Sequence, residues 1–130
     1  MAEPKTVSVQ IDADPRFAAA AGGAARYFGD SAGLESGPAA QLQAAVVSAC
    51  EEAFEHLSPG EHLIVTFTVH PDRIEVALSH EGGAHPAVGL DTIAAGSSVL
   101  GGVDRVQYET QGSRAVTLLT KYLKEGAPSR

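Results

Sequence analysis

Residues 63–78 read LIVTFTVHPDRIEVAL and contain the clearest secondary-structure signal of the chain. Two runs rich in β-branched side chains, 63–69 and 74–78, flank the sequence His-Pro-Asp-Arg at 70–73. Runs of this composition on either side of a proline-containing turn are typical of two antiparallel strands. The stretch therefore predicts a β-hairpin.

Upstream of this hairpin the sequence predicts a strand and a first helix. Residues 6–11 alternate apolar and polar side chains, which is the pattern of a half-buried strand. Asp14 and Pro15 are typical of a helix start, and Gly29 is expected to end that helix. Its apolar face is predicted to carry Phe17, Ala20, Ala21, Ala24 and Phe28. The pair Gly22-Gly23 within it either allows close packing or loosens the helix.

A second helix is predicted to begin at Pro38, after a linker of small residues at 31–37. The residues Ser-Pro-Gly at 58–60 stop it. Its apolar positions recur at helical spacing, and they are Leu42, Val46, Ala49, Cys50, Ala53 and Leu57. Cys50 is the single cysteine, so the chain has no internal disulfide, and a lone thiol in this pattern is expected to pack as a small apolar side chain.

Downstream of the first hairpin, residues 80–102 form a glycine-rich connection with a short helix expected at 90–95. A connection of this length in a compact domain is expected to be a lid or a binding loop. A second hairpin follows, with strands at 103–110 and 115–120 around the turn 111–113. We therefore expect one domain over 1–130, with its core at 5–123 and a tail at 124–130. Its fold class is α/β (an α+β two-layer sandwich), with a mixed sheet of about five strands and two main helices on one face.

The composition narrows the function. The chain has 130 residues, a 44% hydrophobic fraction and a formal net charge of −7. Such a negative charge argues against binding to nucleic acid or to an anionic membrane surface. No apolar run is long enough to cross a bilayer, and 1–5 is too short and polar for a signal peptide. We therefore expect a cytoplasmic protein.

Three stretches resemble the anti-sigma regulatory factors, which are small serine-protein kinases of the GHKL (histidine-kinase-like) ATPase superfamily. Residues 48–56 read SACEEAFEH and resemble the family's N-box, which reads approximately Ser-Glu-Ala-Cys-Thr-Asn-Ala-Val-Gln-His. Residues 78–83, LSHEGG, resemble its second box, in which a strand runs into Asp-x-Gly. The stretch 96–102 occupies the position of the family's next glycine box, and 115–123 resembles the family's closing strand. The resemblance covers nearly the whole chain and implies a Bergerat-like fold.

The resemblance also assigns roles to residues. Ser48 stands where the family has its glutamate base, and a serine cannot act as a base near neutral pH, so no catalytic residue is assigned. Glu52 occupies the position at which the family has its Mg²⁺-binding asparagine, and a carboxylate can also bind Mg²⁺. His80 stands at the adenine-binding aspartate, although a neutral imidazole offers one acceptor and a protonated one none. If nucleotide binding is retained, the implied binding residues are Glu52, His80, Gly82, Gly96, Gly101 and Gly102.

These departures predict a regulatory, protein-binding domain that resembles an anti-sigma factor and lacks kinase activity. No cofactor is expected. If the family activity is retained, the expected cofactors are ATP and Mg²⁺. The absence of Lys and Arg between Arg73 and Arg105 supports this prediction. By resemblance the partner is a sigma factor or a STAS-type antagonist, and a homodimer is allowed. Two alternatives stay open: an active ATP-dependent anti-sigma serine-protein kinase, and a small-ligand-binding α/β domain.

Several features have two interpretations. The acids Glu51, Glu52 and Glu55 are either a docking face for a basic partner or an ordinary solvated helix face. The stretch 96–102 is either a phosphate cradle or a surface loop. The five histidines match no metal-ligand spacing, so we expect them to be solvated surface residues. Residues 31–42 and 84–102 are candidate surfaces for the partner.

Overall fold

The computed structural model describes residues 4–81 and 102–123, and the structural statements below concern these residues. They form two helices and five strands. In chain order these are β1 (Lys5–Ile11), α1 (Pro15–Ser31), α2 (Ser36–Phe54), β2 (Leu63–Val69), β3 (Arg73–Glu81), β4 (Arg105–Gln111) and β5 (Arg114–Tyr122). The short helix expected at 90–95 and the tail at 124–130 lie outside the described residues.

The strands form one open sheet in the order β1-β2-β3-β5-β4, and all four pairings are antiparallel. The two-layer α+β class is confirmed, but the sheet is antiparallel where we expected a mixed one. The reason lies in the two helices between β1 and β2. Ile11 at the end of β1 pairs with Leu63 at the start of β2. Two antiparallel helices return the chain to the end of the sheet that it left, so β2 runs back beside β1.

The core lies between this sheet and the two helices. Buried and half-buried side chains alternate along β2 and β3, which confirms the hairpin predicted at 63–78. The buried side chains of these strands are Leu63, Val65, Phe67, Ile74, Val76 and Leu78. Those of α2 include Leu42, Val46, Ala49 and Cys50, as its apolar pattern predicts. Burial of a large aliphatic side chain contributes about 1.5–3 kcal/mol relative to exposure, so this layer is the main stabilising feature.

Helix α1 begins where the sequence predicts. Asp14 is its N-cap and accepts the backbone N–H of Arg16 at 2.9 Å, and Pro15 occupies the first turn. The predicted stop at Gly29 is wrong by two residues, because the helix continues to Ser31. Gly29 stays helical, and its carbonyl accepts the N–H of Leu34 at 2.9 Å, beyond the end of the helix.

The buried face of α1 matches the predicted one only in part: Ala21 is buried and Ala24 and Phe28 are partly buried against the core, whereas Ala20 is exposed. The buried face carries the small residues Ala18, Ala21, Gly22, Ala25 and Gly29. Phe17, which we expected on the apolar face, is 40% exposed. The close approach of α1 to α2 explains the difference, because a Cβ on Gly22 would overlap Cγ2 of Val47 and lie 3.0 Å from the Gln43 carbonyl oxygen. A Cβ on Gly23 would have nothing within 4 Å. Gly22 therefore allows close packing. Phe17 turns outward, whereas Phe28 packs against Phe67 with ring centroids 5.4 Å apart.

The start of α2 and the second hairpin can be compared with their predictions in the same way. Helix α2 begins at Ser36, two residues before the predicted start at Pro38. A proline is tolerated there because the first N–H groups of a helix have no partner within it. The second hairpin is confirmed, with β4 and β5 joined by a tight turn in which Gly112 has φ 63°.

Neither described helix combines the length and apolar character that crossing a membrane requires.

Candidate functional site

The candidate site lies on the helix side of the sheet, where the outer flank of α2 faces β4. The helices contact β2 and β3. The charge of Glu52, near the end of α2, acts on Tyr108 of β4, so this part of α2 lies close to the helix-facing side of β4. Ser48 and Glu52 lie one turn apart on α2, His80 lies on β3, and Tyr108 lies on β4. We call these four residues the α2–β4 site.

The two α2 residues of this site lie on the same helix ridge, as their spacing of four predicts. Ser48 is half-buried and Glu52 is exposed. Glu51 and Glu55 beside them are exposed as well. The structure therefore places a hydroxyl group and an accessible carboxylate side by side at the two positions that the resemblance singled out.

Tyr108 belongs to the site through its proximity to Glu52. Burial raises the pKa of its phenol, and the negative charge of Glu52 raises this pKa further. The phenol is therefore protonated at neutral pH and lies within electrostatic reach of the Glu52 carboxylate. Sequence reasoning missed Tyr108. The period-two pattern of 105–111, which places Val106, Tyr108 and Thr110 on one face, was the available signal.

His80 lies on the helix-facing side of β3 and is only 6% exposed. Leu78 pairs with Thr117 of β5, and Thr117 pairs with Tyr108 of β4, so these three side chains lie on the same face of the sheet. His80 lies on this face too, because it follows Leu78 by two residues. Nδ1 of His80 is 3.1 Å from the carbonyl oxygen of Glu81. A carbonyl can only accept, so Nδ1 carries the hydrogen, and in the neutral ring Nε2 is left as an acceptor. His80 can thus accept one hydrogen bond from an N–H or O–H group of a ligand.

Gly102 does not join these residues. A Cβ on Gly102 would overlap the backbone carbonyl of Gln41 and lie 3.0 Å from the backbone nitrogen of Leu42, so this glycine packs against the backbone of α2. Gln41 precedes Glu52 by eleven residues, which corresponds to about 16 Å along a helix. Gly102 therefore has a packing role at the opposite end of α2. The other expected cofactor-binding glycines, Gly82, Gly96 and Gly101, lie outside the described residues.

The charges around the site are mostly negative. Within 4–81 and 102–123 no ion pair reaches Glu51, Glu52 or Glu55. The guanidinium group of Arg114 lies on the opposite face of the sheet, where it is held by Glu81 at 2.7 Å and by the hydroxyl of Ser79 at 2.9 Å. The acids of α2 thus face solvent without a basic side chain from the described residues to neutralise them.

The histidines only partly match the expectation of solvated surface residues. His56 and His62 are exposed, and Nδ1 of His62 lies 2.7 Å from Asp12. His70 is half-buried with Nε2 3.1 Å from Glu75, and His80 is buried, because both belong to the core hairpin. Across the described ranges, no three or more His, Cys, Asp or Glu side chains are grouped to hold a metal ion. Mg²⁺ binding by Glu52 stays a prediction.

Cys50 has no chemical role in this site. It is buried, as predicted, and burial together with the charge of Glu51 raises the pKa of its thiol to about 12. The thiolate that would act as a nucleophile is therefore absent at neutral pH.

A concave surface lies at the opposite edge of the sheet from β4, between β1 and the last turns of α1. This groove has a volume of about 300 Å³. Its lining is mainly apolar and consists of Lys5, Val7, Tyr27, Phe28, Ser31, Ala32, Phe67 and Val69. We call it the β1–α1 groove.

Comparison with known proteins adds no family to this geometry. No protein-family model matches the chain, and no curated protein matches it. The function therefore has to be argued from the residues of the two surfaces.

Proposed function

We propose that this chain is a regulatory domain that binds another protein and that it has lost the ATP chemistry of the anti-sigma kinases it resembles. The observation that carries the proposal is the make-up of the α2–β4 site. Ser48 occupies the position of the family's base, and general-base catalysis near neutral pH needs a group with a matching pKa, such as a carboxylate or an imidazole. Beside it, Glu51, Glu52 and Glu55 are exposed and lack ion pairs within the described residues.

These acids disfavour a nucleoside triphosphate. Proteins that transfer phosphoryl groups surround the phosphates with Lys, Arg and Mg²⁺, since negative charge has to be neutralised. The same acids favour a partner with a basic surface, because complementary potentials raise the association rate and disfavour wrong partners. By resemblance, the partner is a sigma factor or a STAS-type antagonist.

The position of the acids within the helix supports the same interpretation. Glu51, Glu52 and the C-cap Glu55 lie in the last turn of α2, which holds no basic residue. The C-terminal end of a helix carries partial negative charge, so acids there lower the stability of the helix. Because these glutamates lower the stability of α2, their presence is better explained by a role in binding than by a role in folding.

A titration with nucleotide tests the loss of ATP chemistry. We expect the thermal midpoint of the full chain to stay constant as Mg·ATP or Mg·ADP is raised to millimolar concentration. A ligand that binds only the native state would stabilise it by about 2.7 kcal/mol at a hundredfold excess over its dissociation constant. For a domain of this size that is a rise of several degrees. A rise that depends on nucleotide concentration would contradict the proposal.

Charge reversal on α2 tests the docking face. In the Glu52→Lys variant we expect the thermal midpoint to rise slightly, because the new charge suits the helix end. We also expect affinity for the partner to fall by about tenfold. Purified sigma factors and STAS-domain proteins from the same organism are the candidates for the binding measurement. Asp30→Lys, at the end of α1, makes the same change of charge elsewhere and should leave the affinity intact. If both variants lose affinity for the partner to the same extent, α2 is not the docking face.

One observation favours the alternative of an active serine-protein kinase. The Nδ1–H of His80 is committed to the Glu81 carbonyl, so Nε2 of the neutral ring can act as a hydrogen-bond acceptor, as the family's aspartate does towards the adenine amino group. The nucleotide titration separates the two functions. With a positive titration, phosphate transfer from radiolabelled ATP to a STAS-domain protein becomes the decisive measurement.

A further inference from the structure

β1 presents an open hydrogen-bonding edge. It lies at one end of the sheet order and pairs with β2 along seven consecutive residues from Lys5 to Ile11. Within residues 4–81 and 102–123, no strand pairs with its other side. The outward N–H and C=O groups of such a strand are a ready template for another strand.

This edge lacks the features that usually protect a sheet from pairing with another chain. Edge strands are commonly blocked by a proline, a bulge or an inward-pointing charge. From Thr6 to Ile11 the strand has no proline and no charged residue, and its register with β2 is continuous. Lys5 at its first position is the one charged side chain in β1.

An apolar surface continues from this edge onto α1. Of the five large apolar side chains that the described residues leave exposed, four lie on β1 or α1. They are Val7 at 44%, Val9 at 39%, Phe17 at 40% and Tyr27 at 66% exposure. The β1–α1 groove lies between Val7 and Tyr27. Exposed apolar side chains that gather on one side of a protein mark an interaction surface.

We propose that a second copy of this chain pairs with β1 in an antiparallel arrangement, forming one continuous ten-stranded sheet. The two-fold axis passes beside Ser8. Ser8 then faces Ser8 of the second copy, Val7 faces its Val9, and Lys5 faces its Ile11. Directly opposed residues in an antiparallel pair lie on the same side of the sheet, so the valines of both copies meet on the helix side. The proposal does not depend on the proposed function.

Charge complementarity favours a second copy as the occupant. β1 begins with Lys5 and is followed by Asp12, whose side chain is 65% exposed although it lies 2.7 Å from Nδ1 of His62, so the two ends of β1 carry opposite charges. Antiparallel self-pairing brings Lys5 of each copy next to the acidic end of the other, and symmetry makes this contact twice. Lys5 is free for it, since it forms no ion pair within the described residues.

The spacing of the elements fits this arrangement. α1 contacts β2 and β3, so across the joined sheet the two α1 helices are separated by at least three strand spacings, about 14 Å. Directly packed helices are about 8–10 Å apart, so the two helices leave a gap above the paired β1 strands. Tyr27 lines the β1–α1 groove together with Val7, so its side chain borders this gap and can close over the valines. The second copy would thereby cover a tyrosine that is 66% exposed in a single chain.

Light scattering coupled to gel filtration, on the full chain at micromolar concentrations, is the first test. We expect a mass of about twice 13.4 kDa for the natural sequence. Val9→Lys introduces a charge into the strip of valines and should give the mass of one chain. Tyr122→Lys alters an exposed apolar residue on β5, distant from β1, and should leave the dimer intact. A monomeric natural chain overturns the proposal, and so does a dimer that Val9→Lys does not weaken.

Disulfide trapping tests the register independently of any destabilised variant. Opposed residues in an antiparallel pair have Cα atoms about 4.5 or 5.5 Å apart, within the range that a disulfide spans. We expect Ser8→Cys to form a covalent dimer on oxidation, without interference from the buried Cys50. Gln10→Cys, on the same face of the same strand, would be about 14 Å from its copy and should not cross-link. Equal cross-linking at both positions, or at neither, overturns the pairing.

Discussion

At the scale of single residues, one glycine decides how the two helices pack. Gly22 lies where a Cβ would meet the side chain of Val47 and the backbone of Gln43, whereas Gly23 next to it faces open space. The two glycines are equivalent in the sequence, and both lower helix propensity. Only the neighbouring helix makes one of them necessary.

The pair provides a matched prediction. We expect Gly22→Ala to lower the free energy of unfolding by about 1–3 kcal/mol, because the added methyl group overpacks the helix contact. Gly23→Ala should raise it by up to about 1 kcal/mol, because alanine has the better helix propensity. Urea unfolding of both variants measures the difference. If Gly22→Ala is as stable as Gly23→Ala, the helices are not in close contact at this point.

At the scale of elements, the α2–β4 site depends on how a helix lies against a distant strand. Ser48 and Glu52 are predictable as neighbours, because a spacing of four places two residues on one helix ridge. Tyr108 belongs to a strand more than fifty residues later in the chain, and no local pattern indicates its distance from Glu52. The contact between these elements therefore needs its own test.

The pKa of Tyr108 reports on that contact. Burial raises this pKa and the charge of Glu52 raises it further, so Glu52→Gln should lower it while leaving it above the ordinary value. Ultraviolet titration of the phenol measures it, with Tyr27 and Tyr122 replaced by phenylalanine so that one tyrosine remains. Glu51→Gln removes the same charge from the neighbouring position and should have a smaller effect. An unchanged pKa in Glu52→Gln would mean that α2 does not face β4 here.

At the scale of the whole molecule, paired carboxylates link stability to pH. Hydrogen bonds from Arg16 lower the pKa of Asp14 from 3.8 to about 2. Burial acts to raise the pKa of Glu75, but the hydrogen bonds from Arg73 and His70 outweigh burial, so the pKa is lowered from 4.5. A carboxyl group with a lowered pKa in the folded state stabilises the fold above its unfolded pKa. This stabilisation is lost as the pH falls through the folded pKa.

We therefore expect the free energy of unfolding to fall as the pH is lowered from about 4.5 towards 2. Urea unfolding at a series of pH values measures this fall. Asp14→Asn keeps a side chain that can cap α1 but removes the charge, so its fall between pH 3.8 and about 2 should be shallower. Parallel curves for the two proteins would contradict the role given to the Asp14 charge.

The sequence by itself determined the local structure: both hairpins, the start of α1 at Asp14, and the apolar face of α2. These features depend on side-chain periodicity, turn residues and caps, all of which act over a few positions. Tertiary structure alone decided that α1 buries its small residues, that the sheet is wholly antiparallel, that His80 is buried with Nδ1 protonated, and that Glu52 faces Tyr108. It also decided that β1 is an open edge. Each of these depends on contacts between residues far apart in the chain, which no local pattern encodes.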